Sequence, residues 1–363
     1  MQQPSFKDPR AAEKLVSAMR ELRLPERVKL MEVCGTHTMA IAKAGIRSLL
    51  PKGVELISGP GCPVCVTPQG DIDAFLELSE TPDVILTTYG DMIRVPGSIR
   101  GDDLRARRAK GADVRVVYSP MDAVELAIDT PEKQIVFLGV GFETTAPGTA
   151  LAIEAAKESG VKNFSVLPML KTVEPALYAL YNSPDFDISG LICPGHVATI
   201  LGETGFRYVP EKLGLPAVIT GFEPLDVLTG IYMLLSQIAE GKPRLENEYT
   251  RAVLPEGNPV AREICVRVFE SCDSAWRGLG VIPGSGLAIR ETYADHDARR
   301  RFGLIDRCPP EPAGCCCGDI IRGKRAPREC PLFGRVCTPE DPVGPCMVSG
   351  EGACAAAWKY QGI

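Results

Sequence analysis

The sequence predicts an α/β protein made of two similar parallel-sheet domains followed by a smaller, cysteine-rich C-terminal domain. Three observations carry that expectation. Short apolar runs alternate with helix-period segments over residues 28–240, the βαβα rhythm of parallel sheets covered by helices. Two pairs of short motifs echo each other across this stretch. Past about residue 241 the texture changes, and from 279 onward the chain is rich in Gly, Pro, Arg and Cys with little periodicity.

The elements follow in order. Residues 9–23 read as an amphipathic helix. Val28–Val33, Val54–Ser58, Val84–Tyr89 and Val114–Ser119 read as short buried strands, with helices over 37–50 and 71–80 between them. A second set of strands comprises Ile135–Val140, Phe164–Leu170, Ile188–Cys193 and Ala217–Thr220, with helices over 146–159, 173–181, 196–204 and 224–240. Residues 258–271 are expected to form one more helix. The implied division is 1–132, 133–255 and 256–363. In the echo, Glu32-Val-Cys-Gly-Thr-His-Thr and Gly139-Val-Gly-Phe-Glu-Thr-Thr each follow a strand and open a helix. Gly59-Pro-Gly-Cys and Cys193-Pro-Gly-His each follow an apolar strand.

The totals bound the chemistry. The chain has 363 residues, 45% hydrophobic and 24% charged, enough for several folded cores. A net charge of −6 argues against nucleic acid or an anionic membrane as the main partner. No apolar run reaches the roughly 18 residues of a membrane span, and the first residues have no apolar signal core, so the cytosol is the expected compartment. Fourteen cysteines in such a compartment point to metal binding or thiol chemistry rather than structural disulfides. The isolated Cys193, Cys265 and Cys272 are expected to be inert buried thiols.

Four upstream places stand out. Cys34-Gly-Thr-His-Thr sits where a strand gives way to a helix, the edge at which α/β proteins place ligands. A helix start favours thiolate, and His37 lies one turn on; the plainer alternative is a buried cysteine with a threonine cap. Cys62 and Cys65 form a Cys-x-x-Cys in a strand-to-loop junction. That spacing suits a redox disulfide or half of a metal site, although the next expected helix starts too late for a thioredoxin-like placement. Glu143 opens another helix, as an acid/base group or a hydrogen-bond partner near Cys34, or simply as an acidic first turn. His196 follows Cys193-Pro-Gly in a loop.

The tail adds Cys330, Cys337, Cys346 and Cys354, with six, eight and seven residues between them. Four soft thiolates from separate turns suit an iron–sulfur cubane, with zinc as the alternative and Cys315 and Cys317 as substitute ligands. A region with so little apolar core needs such a staple. The fold class is then α/β with two similar parallel-sheet α/β domains plus a smaller C-terminal iron–sulfur cluster domain.

As a set these motifs resemble the HypD family of [NiFe]-hydrogenase maturation factors, from about residue 31 to 360. They are Cys34-Gly-Thr-His-Thr, Gly59-Pro-Gly-Cys-Pro-Val-Cys, Gly141-Phe-Glu-Thr-Thr, Cys193-Pro-Gly-His and the tail from Cys330-Pro-Leu-Phe-Gly to Glu351-Gly-Ala-Cys354. Cys315-Cys316-Cys317 departs from the Cys-x-Cys-Gly expected of the family. The resemblance implies an assembly scaffold rather than a turnover enzyme. With a small HypC-type chaperone it would build a transient Fe(CN)₂CO unit, using cyanide from HypE with HypF upstream. It implies a [4Fe–4S] cluster on Cys330, Cys337, Cys346 and Cys354, iron held by Cys34, and a redox pair at Cys62 and Cys65. Beyond what the resemblance implies, the places of His37 and Glu143 at sheet edges give the expectation that they orient or protonate a cyanide-derived ligand. A stand-alone iron–sulfur thiol–disulfide oxidoreductase is the competing reading.

Overall fold

The computed structural model describes residues 8–361. Its strands are β1 (Val28–Glu32), β2 (Val54–Ser58), β3 (Val84–Thr88), β4 (Asp113–Val116), β5 (Gln134–Gly141), β6 (Phe164–Leu170), β7 (Gly190–Pro194), β8 (Ala217–Thr220), β9 (Leu245–Asn247), β10 (Phe269–Trp276) and β11 (Gly280–Ile289). One sheet has the order β2-β1-β7-β8-β9 and a second the order β4-β3-β5-β6. Every pairing in both is parallel. The strands of β3, β7 and β8 are buried at every position, as expected of sheets covered on both faces.

The two-sheet α/β architecture agrees with the sequence expectation, but the sheets do not divide the chain at residue 132. β1 and β2 share a sheet with β7–β9, while β3 and β4 share one with β5 and β6. The expected ranges 1–132 and 133–255 therefore each contribute strands to both sheets. Periodicity reports that a strand is buried; it carries no information about which neighbour buries it.

Residues 256–363 likewise do not stand apart as a separate core. The helix Pro259–Val268 packs on the helix Ala146–Glu158, the β10–β11 hairpin packs on β6, and the terminal helix Ala353–Gln361 packs on Gly35–Lys43. Cys317, Cys330, Cys346 and Cys354 share one continuous apolar core with Met31 of the first sheet and Leu86 and Val136 of the second. The helix expected over 258–271 ends at Val268, and Phe269 starts a strand. The hairpin turn uses Gly278 and Gly280, both with left-handed φ. Helices Leu104–Ala109 and Pro120–Asp129 are additional to the sequence expectation; the latter starts with a reciprocal Ser119–Asp122 capping box.

Each sheet has one point where its strand order reverses, between β1 and β7 in the first and between β3 and β5 in the second. Ligands of open parallel sheets bind outside the carboxyl ends at such points. Cys34 and His196 follow β1 and β7; Asp91 and Glu143 follow β3 and β5. No helix among the described residues is long and apolar enough to cross a membrane.

Candidate functional site

Cys34 occupies the N-cap of the helix Gly35–Lys43 in an extended conformation, φ −150°. It is buried, and burial, reinforced by the Glu351 carboxylate, pushes its thiol up to about 11; the Thr36 hydroxyl and the Thr36 and His37 amides pull the other way without prevailing. The expected depression by the helix start is thus outweighed, because desolvation of a buried thiolate exceeds what one helix terminus returns. The carboxylate beside Cys34 is Glu351, not Glu143. Thr36 donates its hydroxyl proton to Glu351 Oε1 at 2.6 Å, and Ser349 Oγ donates to Asp91 Oδ2 at 2.9 Å. The tail segment 349–351 therefore spans from the switch point of one sheet to that of the other.

The Cys62 and Cys65 thiols are joined as a disulfide, with their Cα atoms 5.2 Å apart. Cys62 caps a one-turn helix, Pro63–Val66, its sulfur accepting from the Cys65 amide at 3.2 Å. A helix of four residues leaves no periodic trace, so the sequence reading sees only the later helix, Gln69–Leu78. The disulfide loop lies directly on Cys34. Gly35 N–H donates to Gly61 O at 3.0 Å, and a Cβ on Gly61 would fall 2.4 Å from the Cys34 nitrogen. Only glycine permits that approach.

His37 is fully buried. Its Nε2 lies 2.8 Å from Thr220 Oγ1, 3.0 Å from Gly221 O and 3.3 Å from Thr220 O, while Nδ1 has no partner among the described residues. Burial lowers its pKa to about 4. The ring stacks on Phe222, which stacks in turn on the exposed His196. The Cys34 and Cys193 motifs thus meet through an aromatic ring that neither contains.

In the tail, Cys315, Cys317, Cys330, Cys337, Cys346 and Cys354 line one pocket, whose other walls include Ile320, Leu332, Phe333 and Met347. The four expected ligands therefore come together, with Cys315 and Cys317 among them. Cys316 faces Arg325 Nη1 at 3.3 Å instead. Cys316 is not part of the lining but also lies against Cys330, which is. Among the described residues no three His, Cys, Asp or Glu side chains converge tightly enough for a single ion; the six thiols line a wall. Such a donor set, soft and ringed by apolar groups, fits an iron–sulfur cluster. Arg277, fully buried, lies within electrostatic reach of Cys315, Cys317 and Cys346. Its guanidinium donates to Thr67 O at 3.1 Å and Gln69 Oε1 at 2.7 Å, tying the pocket to the segment just after the disulfide. The helix Pro63–Val66 itself packs on the helix Cys317–Ile321 and on the turn Pro345–Met347.

Glu143 sits at the other switch point. Val173 N–H donates to its Oε1 at 2.8 Å, Oε2 has no partner among the described residues, and burial raises its pKa to about 7. Its electrostatic neighbours include Tyr208 and Cys265. Burial pushes the Cys193 thiol up to about 12, which makes it an unreactive core group. Sequence reasoning missed the parts played by Glu351, Arg277 and Phe222. Glu351 had a signal, its place in the Glu-Gly-Ala-Cys run; the other two stand in no motif.

A family model described as "HypD: Hydrogenase formation hypA family" matches residues 10–361. The chain is 48% identical to the hydrogenase expression/formation protein HupD of Azotobacter chroococcum mcd 1 over 362 residues, covering 98% of this chain and 95% of that one. It is 48% identical to the hydrogenase maturation factor HypD of Azotobacter vinelandii, at the same coverage. It is 44% identical to the hydrogenase maturation factor HypD of Rhodobacter capsulatus over 368 residues, 98% of this chain and 97% of that one. Matched from end to end, with its motif cysteines gathered at one sheet edge and one thiol-lined pocket, the chain belongs to the HypD family of hydrogenase maturation factors.

Proposed function

We propose that the chain is a scaffold on which the iron unit of a [NiFe] hydrogenase site is assembled, with Cys34 as the chain's ligand to that iron. A small HypC-type partner would supply the second protein thiolate, and a HypE-type partner would deliver cyanide. The observation that carries this reading is one juxtaposition: a lone buried thiol at a sheet switch point touches a disulfide loop, and that loop packs against a pocket of six thiols.

Cys330, Cys337, Cys346 and Cys354 would hold a [4Fe–4S] cluster, which when bound supplies single electrons. The remaining roles belong to the chain. Cys34, protonated while metal-free, loses its proton as iron binds, because only the thiolate is a ligand. Glu351 lies beside it as an acceptor for that proton. Gly35 and Gly61 let the two loops close over the sulfur and exclude water. Arg277, which also pairs with Glu311 Oε2 at 3.4 Å, would share its positive charge with negative charge gathered on the thiol pocket. Reduction of Cys62–Cys65 would take two electrons and two protons and yield two thiols, releasing the loop's covalent clamp.

The oxidoreductase alternative needs a disulfide that a substrate protein's thiolate can attack. Cys62 and Cys65 are 5% and 1% exposed, which disfavours direct exchange with a macromolecule. The test is infrared spectroscopy on the full chain isolated anaerobically with its small partner. Cyanide and CO stretching bands are expected, lost in Cys34→Ala while iron–sulfur absorption persists. Bands that survive Cys34→Ala, or anaerobic protein containing stoichiometric zinc and no iron, would overturn the proposal.

A further inference from the structure

We infer that Thr220 and Phe222 are positioning residues that hold His37 as its Nε2–H tautomer and so keep a bare, unpartnered Nδ1 lone pair in the core beside the Cys34 motif. The tautomer follows from the neighbours of Nε2. Two of them, Gly221 O at 3.0 Å and Thr220 O at 3.3 Å, are backbone carbonyls that can only accept. A lone pair on Nε2 would face both, so that nitrogen carries the proton. The Thr220 hydroxyl oxygen, at 2.8 Å, completes the set. Nδ1 is then the bare nitrogen, and it is buried with no partner among the described residues. An acceptor left unsatisfied in a core is costly unless a donor or metal meets it.

Phe222 fixes the plane of the ring. Its centroid lies 4.6 Å from His37 at an interplanar angle of 26°, and 4.0 Å from His196 at 28°. Tyr249 abuts the edge of Phe222 at 5.9 Å. Turning the imidazole over must pass through a plane that clashes with the stacked Phe222, and would carry the Nε2–H away from the two carbonyls. His37 therefore meets an incoming ligand as a hydrogen-bond acceptor or electron-pair donor, not as the acid that the sequence reading allowed. The fitting ligand class is a small protic molecule, such as hydrogen cyanide, or a metal ion. That last step rests on the proposed function; the tautomer lock does not.

The test uses the full chain with ¹⁵N-labelled histidine. The sequence has three histidines, so His37→Gln identifies the signals of His37. Long-range ¹H–¹⁵N correlation in the parent is expected to give a protonated Nε2 and a bare Nδ1. Phe222→Leu should turn this into a mixture of tautomers and lower the cyanide and CO band intensity of the partner-bound chain about tenfold, at unchanged iron–sulfur absorption. Phe222→Tyr, which keeps the stacked ring, should restore both and guards against misfolding of the leucine variant. A parent with Nδ1 protonated overturns the inference. So does a folded Phe222→Leu variant with the parental tautomer. If the parent shows the expected tautomer, and Phe222→Leu disturbs it, yet no variant or parent ever carries the bands, the lock stands and the iron reading falls.

Discussion

Gly61→Ala is the most direct perturbation of the site. A Cβ at this position would lie 2.4 Å from the Cys34 nitrogen and the Val33 carbonyl carbon, and 2.5 Å from the Cys34 Cα. Ordinary contacts of this kind fall near 3.5 Å, so the shortfall is about 1 Å. All three atoms are backbone, and that backbone is pinned by Val33 N–H to Ile192 O at 3.1 Å, so no side chain can swing aside. The disulfide loop must therefore retreat by roughly that 1 Å. Overpacking of this kind costs about 1–3 kcal/mol of stability. A displacement of about 1 Å at a reacting centre costs on the order of a hundredfold in activity. Gly148→Ala is the matched control, since its Cβ would meet nothing within 4 Å and it lies in a helix, where alanine gains up to about 1 kcal/mol. The assay pairs denaturant unfolding with the yield of iron-bound cyanide and CO bands. Gly61→Ala should lose both, and Gly148→Ala neither. Equal midpoints and equal band yields for Gly61→Ala and the parent would show that the loop does not rest on Cys34.

The other predictions concern buried charge. Burial raises Glu143 to about 7 from its ordinary 4.5, so between those values the native state keeps a proton that the unfolded chain has lost. Stability should fall as pH rises through that window, by about 3 kcal/mol in all. Glu143→Gln should remove the slope and be the more stable protein above pH about 7; parallel stability–pH curves for the two would refute the assignment. Arg277→Leu leaves Thr67 O and Gln69 Oε1 without their donor, a loss on the order of 3 kcal/mol. Its iron content per chain should drop as well, with Arg277→Lys intermediate. Parental iron content in a folded Arg277→Leu would separate the guanidinium from the thiol pocket.

Much of the local structure was legible. β2, β6, β8 and the helices Val173–Tyr181 and Pro224–Glu240 lie where periodicity put them, because each needs only its own alternation of apolar residues and its own breakers. The cysteine motifs could be read as candidate sites, because clustered thiols invite metal binding or redox chemistry. Two local features failed for local reasons. The helix at Pro63 is too short to be periodic. β10 mixes Glu270, Ser271, Asp273 and Ser274 into a strand exposed along much of its length, so it lacks a clean apolar face.

By itself, the sequence determined the α/β class, most of the strands and helices of the two parallel sheets, and which residue types could hold metal or exchange electrons. Those follow from short-range periodicity and side-chain chemistry. The tertiary structure alone decided that β1 takes β7 rather than β3 as its second neighbour, and that Glu351 rather than Glu143 flanks Cys34. It also decided that Phe222 joins two histidines 159 positions apart in the chain. Sheet partners are chosen by the burial of many faces at once. No segment encodes that choice alone, since any apolar strand edge could satisfy any other until the whole core is closed.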